Sequence, residues 1–188
     1  VAVAVAAVAA ADILAERRVK ALSIRIEKAE RRLLMITDDG GRHEYPVALG
    51  QHSAADKAVE GDLATPVGEF YVCAKNPRSK YFLSLCLSYP NAAHAARGLA
   101  AGLITEAQHD EIQAALSLGK MPPQHTALGG EIYIHGGGGL KDWTRGCIAL
   151  ENAAMQIVYD AAGIGTPVVI VRSQDGNVLN GGAAPLQR

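Results

Sequence analysis

The chain has 188 residues, of which 49% are hydrophobic, and a formal net charge of -1. That much apolar side chain supports one domain with a sizeable core and excludes a disordered tail. A near-neutral balance with no basic stripe excludes nucleic-acid binding through phosphate neutralisation.

The first segment, VAVAVAAVAAAD, is an apolar run ending in three alanines before Asp12. Two readings of residues 1–18 stand: the back half of a secretory signal peptide with a small-residue cleavage site, or an alanine-rich helical lead-in. At eleven residues the run is shorter than the roughly 20 needed to span a bilayer. Residues 21–26 and 32–37 then show strand-like apolar patterning; a turn of Asp38, Asp39, Gly40 and Gly41 leads to 44–49. Together they read as a β-meander, and the charge-rich run EKAERR at 27–32 as a solvated hairpin turn. Residues 70–74 and 81–87 form two more strands joined across Asn76, Pro77, Arg78 and Ser79. A hairpin turning near Pro77 and Arg78 sets Cys73 opposite about Leu83, so Cys73 and Cys86 read as two buried free thiols.

Between Asn91 and Gly119 the pattern becomes helical: 92–101, then 106–118 behind Thr105 as N-cap. This insertion reads equally well as one wall of a cleft or as a packing decoration. Residues 131–135 form a strand running into Gly136, Gly137, Gly138 and Gly139. After Cys147, Asn152 caps a helix over 153–162, and 168–171 is a closing strand. Residues 19–172 make one domain, and 173–188, rich in Gly, Asn and Ala, a loose tail. The fold class is mainly β, of the α+β kind.

The chemistry lies in EIYIHGGGGLKDWTRGCIAL. His135 and Cys147 are twelve positions apart, each beside glycine. A thiol is mostly protonated near neutral pH and needs a base or a positive charge to become a nucleophile. His135 is placed at a sheet rim to be that base. Gly146 lets a substrate carbonyl approach the backbone, and the N–H groups around Gly146 and Cys147 would hold an oxyanion. Taken singly, such a Cys is usually a small buried hydrophobe and such a His structural; the pairing with glycines and the Trp143 and Thr144 lead-in is what singles them out. The remaining motif classes fail. HGGGG lacks a G-x-S-x-G partner, Gly119-Lys120 is followed by Met121 rather than Ser or Thr, and His125, His135 and Cys147 match no compact zinc spacing. No metal or organic cofactor is expected. His43, His52, His94 and His109 read as surface or turn residues.

These residues resemble the active site of the L,D-transpeptidase (YkuD-domain) family. His135 and Gly136 match the first half of its pattern, and Thr144, Gly146 and Cys147 the second. Arg145 stands where a second histidine is usual and Ala149 where Asn or Arg is common, so the match is to a subgroup with a DWTxGCIAL signature. GDLATPVGEF, Ser88-Tyr89-Pro90-Asn91 and the terminal GTPVVI extend the resemblance over most of the chain. It implies a β-sandwich of mixed sheets, a two-helix insertion at about 91–120 and one helix after the cysteine. It also implies Cys147 as nucleophile, His135 as base, and the Gly136 carbonyl orienting the imidazole. Gly146, Arg145, Thr144 and Trp143 would form the oxyanion and substrate-binding surroundings, with Arg145 favouring thiolate or holding a substrate carboxylate. The implied substrate is the stem peptide of peptidoglycan. The implied acceptor is another stem's amine, an envelope lipoprotein's lysine or a free D-amino acid, and the implied setting is the periplasm or cell envelope, with the protein a monomer. Two rival readings use the same residues: a hydrolase in which water replaces the amine, and a wall-binding module with a degenerate site.

Overall fold

The computed structural model describes residues 19–139 and 141–173. The readings of 1–18 as signal remnant or lead-in, and of 174–188 as a tail, fall outside the described residues.

Among the described residues eleven elements follow one another: β1 (Ala21–Glu27), β2 (Arg32–Thr37), β3 (Arg42–Pro46), β4 (Gly68–Ser79), β5 (Phe82–Leu87), α1 (Ala92–Ala100), α2 (Glu106–Ser117), β6 (Tyr133–His135), β7 (Ile148–Ala149), α3 (Asn152–Ala161) and β8 (Pro167–Val171). The fold is mainly β, with the two-helix insertion and the helix after Cys147 where the sequence puts them. The strands form one mixed sheet in the order β3-β2-β1-β8-β4-β5-β6-β7. β1, β2 and β3 are the expected antiparallel meander. β8 then slots between β1, to which it is parallel, and β4, to which it is antiparallel. The sheet curls until its ends meet: Ala48, just after β3, bridges to Ala149 in β7, and Gly50 bridges to Thr144. One apolar core fills the curl, drawing on Ile24, Leu33, Val72, Leu85, Ile134, Ile148 and Ile170 from the strands and Met155 and Val158 from α3. Burying such side chains supplies the main driving force for the fold. A smaller satellite of Ala95, Ile104, Ile112 and Leu128 holds the insertion together.

Four expectations need correction. The β4–β5 hairpin turns at Lys80 and Tyr81, where Ser79 pairs Phe82, not at Pro77. Pro77 falls in a register shift between Asn76 and Ser79, a place where its missing N–H costs no ladder bond. The longer strand brings Cys73 beside Cys86, its Sγ 3.4 Å from the Cys86 carbonyl, rather than opposite Leu83; both are free thiols, Cys86 buried and Cys73 half-buried. The EKAERR run is not simply solvated. Glu27 is buried between Arg25 and Arg32, and Lys28 is buried with Nζ donating to the carbonyls of Ala55 (2.6 Å) and Thr65 (2.5 Å). His94 is also buried, packed on Phe70 and Tyr89 at the start of α1, not on the surface. Finally, α3 begins at Asn152 itself, with Glu151 at the N-cap and no side-chain cap. The Asn152 Oδ1 instead accepts the Gly137 N–H at 2.8 Å.

Candidate active site

β6 and β7 run parallel, Ile134 opposite Ile148 and His135 opposite Ala149. Side chains alternate across a strand, so Ile134 and Ile148 enter the core together. Tyr133 and His135 take the other face, and Cys147, one position before Ile148, takes it with them. All three line a cleft of about 700 Å³. The two-residue strand thus makes the base and the thiol diagonal neighbours on one face.

His135 is 3% exposed. Its Nδ1 lies 2.6 Å from the Gly136 carbonyl oxygen. A carbonyl can only accept, so Nδ1 carries the proton and Nε2 keeps its lone pair. Tyr81 stacks on the imidazole with centroids 4.6 Å apart, and Trp143 meets it edge-on at 5.7 Å. Burial lowers the His135 pKa from its ordinary value; the Gly136 carbonyl opposes this, and the Lys80 charge adds to it. At pH 7 the ring is therefore neutral and able to act as a base. The glycine loop is packed too tightly for side chains: a Cβ on Gly136 would lie 2.6 Å from Asn152 Oδ1, and one on Gly138 2.5 Å from the Glu151 nitrogen.

The Cys147 thiol donates to the Glu131 carbonyl at 3.4 Å. Burial pushes its pKa up to about 11. The Tyr133 N–H and the charges of Lys57 and Lys80 pull the other way, while the Glu131 carboxylate adds to the rise. The resting group is a thiol, not a thiolate, so attack requires its proton to leave as the sulfur moves, toward a base such as His135.

The remaining expected residues divide. Trp143, Thr144 and Arg145 line the cleft. Thr144 is buried and braces the turn, its Oγ1 donating to the Cys147 carbonyl (2.7 Å) and accepting the Gly146 N–H (3.2 Å). The Gly146 N–H is therefore engaged and does not face an oxyanion. Glycine is still required at 146: φ is 129°, and a Cβ would lie 2.8 Å from the Ala64 carbonyl oxygen. Arg145 is exposed, and the cations that favour ionisation of Cys147 most are Lys57 and Lys80, not Arg145.

Tyr81, Lys80 and Lys57 carry no sequence signal of their own, whereas Asp62 and Asp142 belong to the GDLATPVGEF and DWTxGCIAL motifs. Tyr81 and Lys80 lie at a hairpin turn that only the register reveals. Lys57 is buried and paired with Asp62 at 2.9 Å; the Asp62 carboxylate also gathers the N–H groups of Ala58, Val59 and Ala64, shaping the loop whose Ala64 carbonyl abuts Gly146. Asp142, two residues before Thr144, receives Arg31 through Nε and Nη2, the Ser53 hydroxyl and the Leu49 N–H. Burial raises its pKa, but these donors outweigh it and hold the carboxyl below its ordinary value. The insertion's part is also settled: Gln124, His125, Gly129 and Gly130 of the returning segment line the cleft, whereas no residue of α1 or α2 does. Among the described residues no cluster of three or more His, Cys, Asp or Glu could hold a metal ion, and no helix is long and apolar enough to cross a membrane.

The family model described as the L,D-transpeptidase catalytic domain, YkuD, matches residues 22–170. Solved structures with a similar course of chain include an L,D-transpeptidase from Mycobacterium smegmatis (13% identity, 81% of this chain and 58% of that one, TM-score 0.46). Others are an L,D-transpeptidase from Xylanimonas cellulosilytica (17% identity, 82% and 62%, TM-score 0.45) and L,D-transpeptidase 3 from Mycobacterium tuberculosis (14% identity, 80% and 60%, TM-score 0.45). This chain thus spans about 60% of the length of each. No curated protein matches it.

Proposed function

The chain belongs to the family of L,D-transpeptidase catalytic domains, and from that premise we propose that it transfers acyl groups of peptidoglycan stem peptides through a thioester on Cys147. The supporting observation is the fixed tautomer of His135. With Nδ1–H held by Gly136, Nε2 is the nitrogen left to take a proton, in the same cleft as the thiol.

In the first half-reaction the Cys147 sulfur adds to the carbonyl between the third and fourth stem residues while its proton passes to His135 Nε2. The oxyanion is held by the Cys147 N–H, the donor left once Thr144 has engaged that of Gly146. Collapse breaks the C–N bond; His135 returns the proton to the departing amine, and D-alanine leaves. In the second half-reaction an amine adds to the thioester carbon, gives its proton to His135, and the C–S bond breaks to regenerate the thiol. An acceptor amine on another stem gives a 3→3 cross-link; a lipoprotein lysine or a free D-amino acid gives attachment or exchange. The substrate places the working protein in the cell envelope.

The deciding experiment incubates the protein with a tetrapeptide muropeptide, with and without an amine acceptor, and weighs the products. Amide-linked product and released D-alanine are expected, with both lost in Cys147→Ala. Shortened tripeptide alone under both conditions would turn the assignment to hydrolysis, and an unacylated Cys147 would overturn it.

A further inference from the structure

Glu131 stands where a glycine would be easier. Its φ is 54°, in the left-handed region that disfavours a side chain. It is clamped there from both sides: its N–H donates to Gln124 Oε1 at 2.7 Å, and its carbonyl receives the Cys147 thiol at 3.4 Å. The preceding Gly130 is packed so closely that a Cβ would lie 2.3 Å from the Gln124 carbonyl oxygen. The Glu131 side chain is exposed on the cleft and forms no ion pair among the described residues.

A carboxylate in this position works against the thiol, because a negative charge nearby opposes ionisation of the sulfur. Of the other charged groups around Cys147, Lys57 and Lys80 oppose it, each by less than Glu131 contributes. Lys57 is engaged by Asp62, Lys80 lies over the Tyr81 ring at 5.0 Å, Arg145 is exposed at the rim, His135 is neutral, and Tyr133 and Cys86 are uncharged at pH 7. Among the described residues this acid has no ion-pair partner, and its backbone would be easier for a glycine.

We infer that Glu131 is a specificity residue for the acyl donor, receiving a cationic group such as the side-chain ammonium of the diamino acid whose carbonyl Cys147 attacks. The inference rests on the acyl-transfer reading and deepens it. Docking of the ammonium also neutralises the charge that hinders the sulfur, so the correct donor makes Cys147 easier to ionise, and a donor without the cation leaves the thiol at rest. No bond is made or broken in this step.

The test compares two tetrapeptide donors, one with the free side-chain amine and one with that amine acetylated, binding to the Cys147→Ala protein by calorimetry. The free amine is expected to bind about ten-fold more tightly, as for one charge-assisted hydrogen bond, and the preference to vanish on adding Glu131→Gln. Glu131→Gly should lose the preference equally while raising the melting temperature, since it relieves the backbone; this separates lost recognition from lost folding. With Cys147 intact and no peptide present, Glu131→Gln should move the pH midpoint of thiol alkylation downward. Equal binding of the two peptides, or a preference that survives both substitutions, overturns the inference. Failure of the unmodified protein to turn over either donor would count against acyl transfer alone, because the binding arm is read without turnover.

Discussion

Among the described residues the Tyr81 ring is the one broad face laid on the imidazole of His135, and the Gly136 hydrogen bond fixes the ring's tautomer rather than its tilt. Tyr81→Ala should lower kcat by roughly ten-fold, the worth of an aromatic stack lost from a base that must be aligned, with little change in KM. Tyr81→Phe should restore it. Opening the pocket also relieves the burial that depresses the His135 pKa, so the acidic limb of the rate profile should move to higher pH in the alanine variant; an unmoved limb would mean the stack does not shield the ring. The same residue shows the limit of reading a site from sequence. His135 and Cys147 can be singled out because their glycines and short spacing are local. Tyr81 and Lys57 come to the cleft from segments that no spacing connects to it, and Glu131, though four positions before His135, is drawn to Cys147 by a left-handed turn that the sequence does not mark.

Among the elements, the segment from Asp142 to Cys147 owes its position to a turn at the opposite end of the chain. Arg31, itself left-handed with φ 52°, reaches from the β1–β2 turn to grip Asp142, and Asp142 in turn holds the Leu49 N–H. Asp142→Ala strands that N–H and the Ser53 hydroxyl, so a loss of about 1–3 kcal/mol in unfolding free energy is expected from denaturant titration, together with a larger fall in kcat than in substrate affinity. A variant of unchanged stability would show that the grip is incidental. Strand alternation and turn residues placed β1, β2 and the helices within a residue or two, since those signals are local. The turn before β5 departs from the sequence expectation because proline usually ends strands and here sits in a bulge. The burial of Lys28 was invisible because its partners, the carbonyls of Ala55 and Thr65, are backbone atoms in a distant loop.

For the molecule as a whole, buried ionisable groups set the pH range in which the fold holds. Burial lowers the His94 pKa, with Asp56 opposing. The unfolded chain therefore takes up that proton first as pH falls through about 6.5, and stability drops there. Asp56, Asp62 and Asp142 are each raised by burial but held lower still by their donors. Their contribution is complete above the ordinary value of 3.8 and is lost as pH falls through the depressed folded values. Lys28, lowered from 10.5 to about 8 by burial, acts at the other end: the unfolded chain binds more protons between those values, so this group alone makes stability rise with pH across that window. Denaturant midpoints measured from pH 3 to 10 should show a two-stage fall on acidification, and His94→Phe should shrink the first stage, to which His135, also lowered by burial, contributes the remainder. A single stage unaffected by that change would refute the assignment.

The join between Ala48 and Ala149 and between Gly50 and Thr144 has a consequence for how the protein fails. β7, which begins right after the nucleophile, is two residues long and is kept in register by β6 on one side and by this join on the other. Warming should part such a seam before it melts the central strands. Heated samples are then expected to go silent toward a thiol-directed acylating probe at temperatures where far-ultraviolet dichroism still reports an intact sheet, and to regain reactivity on cooling. Inactivation that coincides with the melting of the sheet would show the seam to be as firm as the core.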